Sequence, residues 1–360
     1  MPISCPDVSN EILERLDFPK VELHLHFEGA VRFETLLDLS RQKGIPLAGA
    51  KTVDELKKVL VTHQPADLAK VLEAFEIFLP VIRGDLTAIE RMAYELCEDQ
   101  HNNGVVYFEG RYSPHLMLCN NQPDVTAADV VEAVKKGFDR GEAQFGIKAR
   151  SILCCIRGLD RKFPQFILDL ATDLAGLGVV AIDVAGTAHG ADEQYEPEVV
   201  AAFQEAYRRG IHRTVHAGES GGVKEVMKAI KEMYAERIGH GYRIMRDEQL
   251  YIENFVNSKA VHLEGCPYSS VMTGAVPLDW KNHPIARWAK DDVNFSISRD
   301  DPTCFDNTML SELTLARKQV GLTIHQLWKA QLNAARSCFL PEDEKADLVK
   351  LIESREPARP

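Results

Sequence analysis

The arrangement that most restricts this chain is an alternation repeated eight times. Short runs rich in β-branched and aromatic residues are mostly followed by a longer stretch of helical pattern. The runs are 21–26, 105–111, 148–154, 179–184, 212–216, 237–239, 260–264 and 294–298, and clear helical stretches follow at 197–209, 224–235 and 247–257. Strands separated by helix-length crossovers pair in parallel, because a tight turn cannot join parallel neighbours. Eight β/α units in 360 residues predict an α/β fold of the (β/α)8 TIM-barrel type. A doubly wound sheet would use fewer strands and a phosphate-binding glycine loop. Neither GxGxxG nor GxxxxGK[ST] occurs.

The length does not force a division into domains. No Gly/Ser linker, low-complexity tract or charge block interrupts the chain, so residues 1–360 are expected to form one barrel domain. The excess length falls at 53–102, read as a helical insertion between the first and second strands, over the barrel mouth. The formal charge of −12 argues against generic nucleic-acid binding. No apolar run of bilayer-spanning length is present, and the first twenty residues carry acids in place of a signal-peptide core. The eight cysteines form no CxxC pair, which suits free thiols in a reducing, cytoplasmic setting.

Chemistry collects at the carboxyl ends of the strands: His24 and His26, Glu109 and Arg111, Asp183, His216 and Glu219, His240, then Asp300 and Asp301. A barrel gathers those ends at one mouth, whereas an open sheet spreads them along a line. In Val-Glu-Leu-His24-Leu-His26 strand alternation turns both imidazoles to the axis and Leu23 and Leu25 to the helices. His216-Ala-Gly218-Glu219 offers a third imidazole, and an acid just past a glycine turn. His240 lies between Gly239 and Gly241. Ser298-Arg299-Asp300-Asp301-Pro302 puts Asp300 toward the mouth, beside the first strand if the barrel closes, and Arg299 outward. Taken singly, each is equally a buried histidine, a helix-start carboxylate or a solvated turn.

Together they place three histidines and one aspartate where a barrel would bring them together. This set suits one Zn²⁺ per chain with an open position for water. Such a site makes a hydroxide nucleophile near neutral pH, with Glu219, His240 and Asp301 handling protons and orientation. Two other patterns compete. Gly218-Glu219-Ser220-Gly221-Gly222 fits a GxSxG nucleophile elbow, with Asp301 and His325 in triad order, but leaves the other histidines without roles. His262-Leu-Glu264 fits half of another zinc signature, but no PCxxC follows, so it reads as ordinary strand.

At this point the motifs resemble a family. KVELHLHFEG, VVYFEGRYSPH, KARSILCC, VVAIDVAG, GIHRTVHAGE, ERIGHGY, CPYSS with VMTGA, RDDP and FLPEDEK occur in order over residues 20–345. They resemble the adenosine deaminases of the metal-dependent amidohydrolase barrels, the animal type most of all. The resemblance implies that His24, His26, His216 and Asp300 hold zinc. It also implies that Glu219 gives a proton to purine N1, that His240 orients the attacking hydroxide, and that Asp301 bonds N7. The Gly186 N–H would bond N3 and Glu28 would meet the ribose hydroxyls. Leu68, Val71, Leu72 and Phe75 have the spacing of any core-facing helical stripe; the resemblance makes them the wall of the purine pocket.

Four departures from the family pattern stand out: Glu28 where Asp is usual, Gly110 for an apolar residue, Thr187-Ala188 for two acids, and Arg299 for Thr. The leading expectation is hydrolytic deamination of adenosine and 2′-deoxyadenosine, in purine metabolism, by a monomer with a small-molecule substrate and no nucleic-acid or membrane partner. Deamination of adenine or another adenine nucleoside, and an inert metal- or nucleoside-binding protein, are the alternatives.

Overall fold

The computed structural model describes residues 3–119, 122–187 and 195–358. Eight parallel strands follow chain order around the sheet: β1 Lys20–His26, β2 Val105–Tyr112, β3 Lys148–Ile156, β4 Val179–Ala185, β5 His212–Ala217, β6 Arg237–His240, β7 His262–Gly265 and β8 Phe295–Ile297. Closure comes just beyond β8. Leu25 bridges Asp300 in parallel, with His26 N donating to Asp300 O at 2.9 Å and Asp300 N to His24 O at 3.2 Å. The expected barrel is therefore present, and the same backbone that closes it carries the Asp300 side chain to the two histidines of β1.

Strict alternation fails in one place on β1. It would put Glu22 on the same face as His24. Instead Glu22 accepts from Gln100 Nε2 at 2.6 Å and pairs with Arg299 at 2.9 Å, outside the barrel, while His24 looks inward. The β1–β2 register shifts between Glu22 and Leu25, and a bulge of this kind re-aims a side chain. Arg299 does lie on the face opposite Asp300. It points outward as expected, and there Glu22 buries it to 3% exposure.

The barrel interior is charged. Arg237 pairs with Glu109 at 2.6 Å and Glu264 at 2.7 Å, and Arg111 with Glu264 at 2.7 Å and Asp183 at 3.0 Å, all at most 1% exposed. Buried ions need such partners to offset desolvation. Gly110, on β2, leaves space taken up by Phe138, whose ring edge would lie 3.4 Å from an added Cβ.

Helices α1 Asn10–Arg15, α2 Phe33–Lys43, α3 Val53–Leu60, α4 Leu68–Ile82 and α5 Leu86–Asn102 precede β2. A capping box between Thr52 and Glu55 starts α3, and Asp67 caps α4 by accepting from Lys70 N at 2.8 Å. Within 53–102, α5 packs on β2 and the helix Ala127–Phe145 as part of the outer ring, whereas α4 walls the mouth. The helix expected at 197–209 forms at Pro197–Arg209; that at 247–257 forms as Glu248–Tyr251 continued by a wider π-type turn, Ile252–Asn257.

Candidate metal centre and substrate cavity

Strand ends β1 and β5 and the turn after β8 bring His24, His26, His216 and Asp300 together, one donor atom from each lying within 4.8 Å of the others. His24 Nε2 is 3.2 Å and His26 Nε2 3.5 Å from Asp300 Oδ1, and His26 Nε2 faces His216 Nε2 at 3.1 Å. Each inner histidine is fixed from behind. His24 Nδ1 lies 2.6 Å from Glu264 and His216 Nδ1 3.0 Å from Asp183, which puts the protons on Nδ1 and turns the Nε2 lone pairs to the centre.

This cluster fits a cation. His24 Nε2 is buried without a hydrogen-bond partner and confronts a carboxylate oxygen. Burial opposes a charged His24 ring, yet Asp300 and Glu264 overcome it and hold its pKa above the ordinary value. The same carboxylates therefore favour positive charge at this point. His26 and His216 are pushed below theirs, mainly by burial, and stay neutral donors. Three imidazole nitrogens and one carboxylate oxygen are a borderline donor set for a divalent transition metal.

Beside it stand Glu219, Asp301 and His240, the groups expected to handle protons. Glu219 is 5% exposed, and burial, then Asp300, raise its pKa to about 8. Asp301 is held well above the carboxylate range by burial and by Asp300, Glu28 and Glu219. Its Oδ1 and Oε1 of Glu219 have no hydrogen-bond partner. His240 Nε2 is 3.5 Å from Glu219 and 3.9 Å from Asp300. His240 and Asp300 both hold left-handed φ, +67° and +68°, a region that non-glycine residues seldom adopt.

A cavity of about 260 Å³ opens over this centre. It is small enough for one compact ligand. His26, His216, Glu219, His240, Asp300, Asp301, Glu28 and Gly186 reach it, as do Leu68, Leu72 and Phe75. Val71 does not. At about 100° per residue it falls beside the stripe formed by Leu68, Leu72, Phe75 and Leu79, and with Ala74 and Phe78 it packs into the core, 1% exposed. Its place in the pocket wall is thus corrected. Glu28 Oε1 accepts from Ser113 N at 2.9 Å, Oε2 is unpartnered, and burial lifts its pKa to about 7. Gly186 has φ +93°, and an added Cβ would press on Ile156 at 3.0 Å, so only glycine fits this rim. Thr187 follows it; Ala188 lies outside the described residues.

Several contributors escaped the sequence reading. Glu264, read as ordinary strand, fixes His24 and also accepts from Thr214 at 2.9 Å. Asp183, near the end of β4, backs His216 Nδ1 at 3.0 Å. Ser269 donates to Asp300 Oδ2 at 2.6 Å, and Leu79, Glu76 and Arg83 also line the wall. The GxSxG alternative finds no support: His325 sits on Ile324–Ser337, paired with Glu356 at 3.1 Å, away from the cavity.

A closed parallel barrel with a three-histidine, one-aspartate candidate metal site at its carboxyl mouth is a barrel of the amidohydrolase type. The comparisons with known proteins narrow this. A family model described as adenosine deaminase matches residues 19–355. Adenosine deaminases of Danio rerio and Gallus gallus are each 42% identical over 345 residues, covering 93% of this chain and 95% and 94% of theirs. That of Mus musculus is 40% identical over 344 residues, covering 93% and 96%. The chain belongs to the adenosine deaminase family, and it is an enzyme that deaminates adenosine. Among solved structures, an adenine deaminase from Arthrobacter aurescens aligns with a TM-score of 0.81 at 24% identity, covering 93% of this chain and 98% of its own. An amidohydrolase from Burkhoderia ambifaria with bound Zn aligns at 0.82 and 23% identity, covering 98% of each. At that distance the likeness is one of fold.

Proposed function

We propose that one Zn²⁺ per chain is held by His24, His26, His216 and Asp300, and that the enzyme hydrolyses adenosine and 2′-deoxyadenosine to inosine and deoxyinosine with release of ammonia. The observation that carries this is the pair of neighbouring buried carboxyls with raised pKa values, Glu219 and Asp301, beside the donor cluster. Zinc, when bound, supplies the Lewis acidity that lets water act as a nucleophile near neutral pH.

The residues of the chain do the rest. Purine N1 and N7 are acceptors, so a carboxyl that meets them must carry a proton. Burial gives Glu219 and Asp301 that proton. Glu219 donates to N1 as the ring carbon is attacked, and Asp301 bonds N7 and fixes the ring in its plane. His240, its pKa held well below the histidine range chiefly by burial, is a neutral ring able to orient water and accept a proton. The Gly186 N–H bonds N3, and Glu28 meets the ribose hydroxyls. Leu68, Leu72 and Phe75 cover the base and exclude water. No helix among the described residues is long and apolar enough to cross a membrane. We place the protein in the cytoplasm as a monomer, one barrel domain whose 53–102 segment shields the mouth.

One assay tests the reading. Purified protein of measured zinc content is given adenosine, 2′-deoxyadenosine and adenine, and the ultraviolet change on deamination is followed. Turnover of both nucleosides and not the base is the expected result; turnover of adenine alone would overturn the nucleoside assignment.

A further inference from the structure

Cys266 has no part in the chemistry above, yet its thiol lies within 4.8 Å of donor atoms of His24, His240 and Asp300. We infer that these four residues form a second metal position, overlapping the first, which takes a thiophilic divalent cation and withdraws His240 from catalysis. The inference rests on the reading of His24 and Asp300 as metal ligands.

The geometry is balanced about His24. Its ring centroid is 4.6 Å from that of His216 and 4.6 Å from that of His240. Asp300 divides its oxygens in the same way: Oδ1 is nearest His24 and His26, and Oδ2 is the oxygen 3.9 Å from His240. The sulfur is fully buried, and among the described residues it has no hydrogen-bond partner, unlike the sulfurs of Cys5, Cys154 and Cys155. His240 Nδ1 is likewise buried and unpartnered. The backbone around Cys266 is fixed, since its N–H donates to the Tyr242 oxygen at 2.6 Å.

His24 presents a single free lone pair at Nε2, so the two positions exclude each other. Ligand softness decides between them. Three nitrogens and one oxygen suit zinc; a set containing a thiolate suits a softer ion such as Cd²⁺. Binding forms the sulfur–metal bond and breaks the S–H bond, so each ion bound releases one thiol proton to solvent. An ion seated there holds His240 as a ligand, and the enzyme loses the group that orients water.

The test uses the full-length enzyme as purified, dialysed against Cd²⁺. Bound metals are counted by elemental analysis, and the near-ultraviolet region is scanned for thiolate-to-cadmium charge transfer. The expected result is about one Cd²⁺ per chain, loss of the resident metal, a charge-transfer band and at least a tenfold fall in activity. Cys266→Ser and Cys266→Ala should still bind one ion but show no band, whereas Cys304→Ser should keep it. Cadmium bound without a band, or a band that survives Cys266→Ser, overturns the second position alone. A protein that holds no metal and takes up no cadmium overturns the metal reading as well.

Discussion

Replacing Glu219 by Gln keeps the shape of the side chain and removes its ability to give a proton. With a pKa of about 8, Glu219 is protonated in about 90% of molecules at pH 7, against about 0.3% at the ordinary 4.5. The site therefore enriches the acid form about 300-fold, equivalent to about 3 kcal/mol. General acids contribute about 10² to 10⁴ in rate, so kcat of Glu219→Gln should fall within that range, with KM changed by less than about threefold. Burial is the larger cause of the shift and Asp300 the second.

The same group sets two pH signatures. Activity of the wild type should decline as pH rises through about 8, and Glu219→Gln should lack that alkaline limb. In stability the folded state binds this proton more tightly than the unfolded chain. The stabilisation is full below about 4.5 and is lost as pH rises through about 8, at about 1.4 kcal/mol per pH unit for a single group. Glu219→Gln should thus lose less of its melting temperature between pH 5 and pH 9 than the wild type does. Turnover undiminished in the variant, or an unchanged alkaline limb, would remove Glu219 from the acid role.

His216→Ala should bind zinc far more weakly, and a full complement by elemental analysis after dialysis would contradict its place as a ligand. Asp183→Asn should weaken metal affinity about 10- to 100-fold in a chelator competition, because the backing bond to His216 loses its charge. Phe75→Ala should raise KM for adenosine by widening the cavity wall. Val71→Ala should leave KM alone and lower stability by roughly 1–3 kcal/mol in a denaturant titration, since Val71 packs in the core.

The strands, their order and the residues at their carboxyl ends were readable because β/α alternation and period-two patterning are local properties. The expected first strand, 21–26, differs from Lys20–His26 by one residue. What was not readable depends on contacts distant in sequence. Val71 and Leu72 are adjacent apolar residues in one helix, and only the direction in which α4 lies on the mouth tells that Leu72 lines the cavity. Glu264 and His24 are 240 residues apart, and the 2.6 Å contact between them arises only from barrel closure. Its one signal was that Glu264 ends a strand, the same signal that picked out Asp183 and His216. Glu22 shows the opposite failure: the alternation rule, sound for His24 and His26, breaks at a bulge that the residue types do not announce.

The charges around the centre decide what it was built to hold. Glu219 and Asp301 carry protons, because burial and their neighbours raise their pKa values. That leaves Glu109, Asp183, Glu264 and Asp300 as buried carboxylates in contact with the interior network, against the two guanidiniums of Arg111 and Arg237. Arg299 and Arg157 are already matched by Glu22 and Glu225. Two negative charges are therefore unmatched in a region of low polarity, a condition proteins avoid. A single proton on His24 relieves half of it. One divalent cation relieves all of it, at the point where three neutral imidazoles and Asp300 already converge. Removing the cation should consequently destabilise the fold and not merely silence the enzyme: the metal-free protein should melt at a lower temperature than the loaded one, and by more at pH 8 than at pH 5, where protons can take the place of the ion.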